Sequence, residues 1–314
     1  MDIVSMIVIV AGLVLFETIS SIDNAIINAE VLSTMQAKAR RWFLVWGLFI
    51  AVFVVRGVLP FLIVWVVNPG LGPWEAITAT FSSDPRVVAA IELSAPILLI
   101  GGGTFLVFLF FHWLFLESKN FGLIGEKFFY AQGVWFYAVV SILLTGIVYL
   151  ALQFNPAMAL GAVVGSTAFF ITHGFKQNAE QSEQKLLQKG NMSDISKILY
   201  LEIIDATFSI DGVLGAFAFT LSVPLILVGN GIGAFVVREV TIGNIERIKR
   251  YKFLKNGAMY SILCLGVIMW LDSFGVHIPS WVSPVITFVI VGYFFWKSRH
   301  ALQLSAAPES ASRH

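Results

Sequence analysis

The chain has 314 residues, 58% of them hydrophobic and 12% charged, with a formal net charge of +1 and a mean hydropathy of +0.84. No ordinary soluble domain of this length carries so much apolar sequence, so the composition excludes a water-soluble enzyme or binding module. The basic residues are accounted for by membrane topology, which leaves no nucleic-acid-binding surface.

Apolar stretches that can cross a bilayer, about 20 residues each, recur at 3–27, 42–67, 95–116, 134–152, 157–175, 198–219, 223–242, 256–272 and 282–297. The expected fold class is all-α, a polytopic membrane protein of about nine transmembrane helices. The first run is not a signal peptide, because "MDIVSMIVIV" has no basic region before it and continues into acids. Cytoplasmic loops carry the excess of Lys and Arg. With nine crossings and the N-terminus outside, the inner segments receive Lys38, Arg40, Arg41, Lys119, Lys127, Lys176, Lys185, Lys189, Lys197, the cluster from Arg247 to Lys255, Lys297, Arg299 and Arg313, while only Arg86 falls outside. This places the chain in the inner (plasma) membrane with its C-terminus in the cytoplasm. Segments 68–92 outside and 176–197 inside read as the longest loops, the latter with a short surface helix, and 300–314 reads as a disordered tail. The single Cys264 excludes disulfides and a thiolate metal site.

Acids interrupt two of the apolar runs. Glu17 and Asp23 lie in "ETISSIDNAIINAEVL" (17–32), and Glu202, Asp205 and Asp211 in "LEIIDATFSIDGVLGAF" (201–217). A shift of 188 residues lays Glu17 on Asp205, Ser21 on Ser209 and Asp23 on Asp211, so both copies read acid-x-x-x-Ser-Ile-Asp. "AVFVVRGV" (51–58) is echoed by "GAFVVREV" (233–240), which sets Arg56 against Arg238. We read an internal repeat. Four crossings separate the first helix from the sixth, so the two run in opposite directions and the repeat is inverted. Its halves span about 1–67 and 198–245, with additional helices at 95–175 and 256–297, all in one transmembrane domain of residues 1–314. Inverted repeats are a recurrent transporter plan with the substrate site at the repeat interface.

At 100° per residue, Glu17, Ser21, Asn24 and Asn28 share one helical face, as do Glu202, Asp205, Ser209 and Gly212. Asp23 and Asp211 fall off that stripe, each followed by a residue that tolerates left-handed backbone, Asn24 or Gly212. Both helices are therefore expected to unwind near Ser-Ile-Asp and turn these aspartates into a central cavity. One carboxylate at mid-membrane costs about 2.5–3.5 kcal/mol, so five of them require compensation. Arg56 and Arg238 balance two, and protonation or a bound cation covers the rest. Carboxylates, Asn amides and Ser hydroxyls are hard oxygen donors that favour Mn²⁺, Ca²⁺ or Mg²⁺. The expected metal site comprises Glu17, Asp23, Glu202, Asp205 and Asp211, assisted by Ser21, Asn24, Asn28 and Ser209.

These stretches resemble the TerC family of integral membrane proteins. The likeness is carried by Glu17 to Asp23-Asn24, by Glu202-x-x-Asp205-x-x-Phe208-x-x-Asp211, and by "YKFLKNGAMYSILCLGVIM" with "HIPSWVSP". It covers roughly residues 10–60 and 200–290, and Gly212 stands where the family more usually has Ser, which suggests a divergent branch. The resemblance implies divalent metal traffic, chiefly manganese export, with links to tellurite resistance and to metal supply for exported proteins.

The reading that follows is a divalent-cation transporter, not an enzyme, with Mn²⁺ as substrate and no organic cofactor. No nucleotide-binding loop is present to drive it, so an ion gradient, proton-coupled in the simplest case, is the expected energy source. A metal-binding sensor or assembly protein acting on secretion-machinery partners is the main rival, and a homo-oligomer is left open. An intramembrane aspartyl protease fits poorly, because Ser209-Ile210-Asp211-Gly212 is not its Gly-x-Gly-Asp motif. His112 and His173 are candidates for a proton relay or for simple packing. Asp272 and His277 read as an interfacial pair, and Glu30 and Glu239 as snorkelling ends. Gly101, Gly102, Gly103, Gly161 and Gly165 read as close helix packing or a hinge.

Overall fold

The computed structural model describes residues 2–47, 49–50, 56–67, 70, 72, 74–75, 85–189, 193–243 and 248–306; the side chains of Asp23 and Phe208 lie outside that description. The regular elements among the described residues are helices: α1 (Ile3–Ser20), α2 (Ile22–Ser33), α3 (Ala37–Trp42) with a π-helical turn (Phe43–Gly47), α4 (Arg56–Val67), α5 (Pro85–Leu116), α6 (Glu126–Ala131), α7 (Phe136–Phe154), α8 (Pro156–Lys189), α9 (Asp194–Ala216), α10 (Val223–Gly243), α11 (Leu254–Ser273) and α12 (Val282–Ala306). Five stretches among them are long and apolar enough to cross a membrane: Ile3–Ser20, Glu92–Leu116, Gly133–Phe154, Pro156–Asn178 and Leu254–Ser273. The chain is an all-helical membrane protein.

Three boundaries differ from the sequence reading. α5 begins at Pro85, inside the expected outer loop, because proline suits the first helical position, where its missing N–H is not needed. α8 continues without interruption to Lys189 in place of an inner loop from Lys176. "KQNAEQSEQKLLQK" is rich in Gln, Glu, Lys, Ala and Leu and meets no Gly or Pro before Gly190, so nothing stops the helix. α12 likewise extends into the expected tail, to Ala306.

The expected unwinding is absent from the second copy of the motif and in the first is confined to Ser21, across which the Ser21 N–H to Glu17 carbonyl and Ala25 N–H to Ser21 carbonyl bonds continue. α1 and α2 are separated at Ser21, with φ −89° and ψ 3°, one turn before Asn24. There the Ser20 and Ser21 hydroxyls hydrogen-bond back to Glu17, to its carbonyl and its carboxylate respectively, which is how serines compete with the helical ladder. In the second copy α9 runs unbroken through Ser209, Asp211 and Gly212. Positive φ occurs among the described residues only at Gly125 and Gly275, so neither Asn24 nor Gly212 is left-handed.

α5 is the hub of the helical core. It packs against α8 through Gly101 and Gly161 and against α11 through Gly103 and Gly266. A Cβ on Gly161 would lie 2.7 Å from the Ile97 carbonyl oxygen, and one on Gly103 would lie 2.8 Å from that of Gly266. Lipid tails are as apolar as Leu, so close backbone approach and dispersion hold such helices together. Buried Phe105, Phe108, Phe136 and Phe169 fill the space between α5, α7 and α8.

The direction of α1 relative to its neighbours can be read from paired contacts. Along α1 and α2, residues 12, 16, 17 and 24 meet residues 219, 215, 212 and 205 of α9 and the turn beyond it, so the two helices are antiparallel. Leu13 and Glu17 meet Gly229 and Gly233, so α1 and α10 are parallel. α9 in turn packs on α4, as α1 packs on α10.

Candidate intramembrane ion site

Glu17 lies in the last turn of α1 with its side chain buried, at 1% exposure. Ser21, one turn on, donates to Oε1 at 2.6 Å, and Arg56 from the start of α4 places Nη1 2.6 Å from the same oxygen. Arg56 Nε also donates to Ser209 Oγ at 3.2 Å, while Ser209 donates to the Asp205 carbonyl at 2.6 Å. One guanidinium therefore joins the two acidic motifs. The second carboxylate oxygen, Oε2, is buried without a hydrogen-bond partner among the described residues. It comes so close to α9 that a Cβ on Gly212 would lie 2.8 Å from it. Gly212 therefore serves close approach, not helix breaking.

Asn24 donates to the Asp205 carboxylate, and the side-chain oxygens of Asn24 and Asn28 are both buried without a partner among the described residues. Glu17, Ser21, Asn24 and Asn28 line a cavity of about 60 Å³ together with Asp205, Arg56 and Arg238. Such a volume holds a few water molecules, each of which needs about 10–15 Å³. Arg238 Nε is buried there, with no hydrogen-bond partner among the described residues. Two acids and two guanidiniums give the described walls no net charge.

Glu202 faces the π-helical turn, where a Cβ on Gly47 would lie 2.5 Å from its Oε1. Gly47 itself lines the cavity, so Glu202 sits behind its wall. Asp211 does not join the group; it forms an ion pair with Lys176 of α8, with both side chains 13% exposed. The Asp23 side chain lies outside the described residues. Among the described residues no three His, Cys, Asp or Glu side chains come close enough to hold a metal ion. Any cation in the cavity would rely on single oxygens from Glu17, Asn24, Asn28 and Asp205.

Lys176 was not among the sequence-derived site residues, because topology alone assigned it to a loop. The signal was present: it follows His173 by three residues on the same helix face, across a single Gly174 and no proline. Asn230 of α10 was also missed. It is 1% exposed, with both amide atoms unpartnered among the described residues, one turn before the cavity-lining Ala234. Glu126 was missed for a structural reason. Its buried carboxylate accepts from the Gly122 and Leu123 N–H groups, Asn256 and Tyr260, and so ties α6 to α11.

The remaining candidates lie elsewhere. His112 and His173 face each other with ring centres 3.8 Å apart. His277 is 99% exposed and 3.9 Å from Asp272. Glu30 forms an exposed pair with Lys249 at 3.4 Å. Outside the spans, Lys119 donates to the carbonyls of Trp113 and Leu114 at the end of α5, and burial pulls its pKa down from 10.5 to about 8.

The family described as "Protein of unknown function (DUF475)" matches residues 22–303. No curated protein and no solved structure matches the chain.

Proposed function

The chain belongs to the DUF475 family, and within it we propose a divalent-cation transporter whose substrate site is the cavity between α1, α2, α4, α9 and α10. The observation that carries this reading is the wall itself: Glu17, Asn24, Asn28 and Asp205 present hard oxygen atoms, three of them buried and unpartnered among the described residues. Unsatisfied buried acceptors are costly, and a cation is the ligand that satisfies several at once. Arg56 and Arg238 neutralise the acids while the cavity holds no cation, and a dication entering it replaces their charge.

The inverted repeat draws support from the antiparallel packing of α1 and α9 and from the reciprocal packing of α1 on α10 and α9 on α4. On this reading nine helices cross the inner membrane, with the N-terminus outside, and the halves rock about the cavity to expose it alternately. The resemblance to TerC proteins makes Mn²⁺ the first substrate to test, ahead of Ca²⁺ and Mg²⁺.

The test is Mn²⁺ uptake into liposomes carrying the purified protein, with Ca²⁺ and Mg²⁺ as competitors and Glu17→Gln, Asp23→Asn and Asp205→Asn as variants. Protein-dependent uptake that each variant lowers is the expected result. Full uptake in all three overturns the site, and tight Mn²⁺ binding without any uptake moves the protein to the sensor or assembly class.

A further inference from the structure

Buried His112 of α5 and half-buried His173 of α8 lie with ring centres 3.8 Å apart, flanked by Phe136 at 5.5 Å from His112 and by Phe169 stacked at 5.8 Å from His173. One turn further along α8, Lys176 pairs with Asp211 of α9. Asp211 and Asp205 lie on the same helix, six residues or about 9 Å apart along its axis, yet only Asp205 lines the cation cavity. From this geometry we propose that His112 and His173 form a single-proton binding site, set apart from the cation cavity, through which proton release is coupled to cation binding.

Two imidazoles this close in an apolar surrounding cannot both carry a charge, because each positive ring raises the cost of the other. The pair therefore holds one proton or none. Lys176, Lys119, Lys255, Glu117, and Asp211 are the charged groups that act on it. Lys176 and Asp211 neutralise each other, as do Lys255 and Glu117, so with Lys119 the charge of the array steps between one and two. The proton binds the lone pair of one ring nitrogen and leaves from that nitrogen to water, with no other bond made or broken. A dication arriving at Asp205 adds positive charge near the pair along α9 and favours the proton-free state. The coupling rests on the transporter reading, whereas proton binding by the pair does not.

Two measurements on the full-length protein separate the claims. In metal-free detergent solution, side-chain NMR of isotope-labelled histidine, assigned with His112→Phe and His173→Gln, follows the titration of each ring. Uptake of one shared proton by the pair is expected. Independent titration of both rings as ordinary histidines near pH 6.5, or no titration of either, overturns the proposal whatever transport shows. In weakly buffered solution with a pH dye, the protons released per Mn²⁺ bound are then counted. About one is expected for the unaltered protein, falling several-fold in each histidine variant. Equal release in both variants and the parent overturns the coupling and leaves the cation site standing. Absence of Mn²⁺ binding in the parent removes the transporter reading and the coupling with it, and a shared titration in that case still establishes the proton site.

Discussion

Arg56 Nη1 lies 2.6 Å from Oε1 of Glu17, with side-chain exposures of 5% and 1%, and the same guanidinium reaches Ser209 of the opposite motif. Taking either charge away leaves the other buried and uncompensated. Arg56→Gln should destabilise the protein by about 3–5 kcal/mol, and the double variant Glu17→Gln/Arg56→Gln should lose less than the sum of the singles. A double-mutant cycle of thermal unfolding in detergent measures the coupling; simple additivity would show that the pair is not energetically linked.

Gly212 offers a test in which helix propensity and function pull apart. Alanine is favoured over glycine inside a helix by about 1 kcal/mol, and α9 is unbroken there, so Gly212→Ala should not weaken the fold. Its methyl group would lie 2.8 Å from Glu17 Oε2 and push the carboxylate out of place. Mn²⁺ affinity should fall about tenfold or more, read by calorimetry beside an unchanged or higher melting temperature.

The Lys176–Asp211 pair predicts rescue. Lys176→Met strands the Asp211 carboxylate and should lower stability, and adding Asp211→Asn should restore much of the loss. Equal melting temperatures for the single and double variants would dismiss the pair as a structural unit.

Lys119 gives a pH dependence of unusual sign. Burial lowers its pKa from 10.5 to about 8. Below about pH 8 the lysine is charged in both folded and unfolded chains, and the burial penalty is fully present. Between about 8 and 10.5 the folded chain has released the proton while the unfolded chain still binds it, so this residue's contribution to stability rises with pH. Relative to the parent, Lys119→Gln should lose that rise, and parallel melting curves for the two over this range would refute the assignment.

The glycine contact between α5 and α8 should be sharply position-specific. Gly161→Leu drives a side chain into the Ile97 carbonyl, where even a Cβ would lie at 2.7 Å, and should abolish the folded state in detergent. Gly146→Leu, at a position with nothing within 4 Å, serves as the control and should be tolerated.

The sequence by itself determined that the chain is helical and membrane-embedded, and it grouped Glu17, Ser21, Asn24, Asn28, Asp205, Arg56 and Arg238, which line one cavity, with Asp23, Glu202, Asp211 and Ser209, which are not among its described lining residues. Hydropathy and helical period are local properties, and a repeated motif carries its own alignment, so these features survive without coordinates. Only the tertiary structure decided that Gly212 admits the Glu17 carboxylate, that the first motif is interrupted only at Ser21 while the second stays helical, and that Asp211 turns to Lys176. The two copies match at acid, Ser, Ile and Asp, yet their partners come from different helices. Which partner a buried charge finds depends on helix rotation and packing, set by contacts such as Gly101 on Gly161 far from the motif. No spacing within the motif encodes that choice.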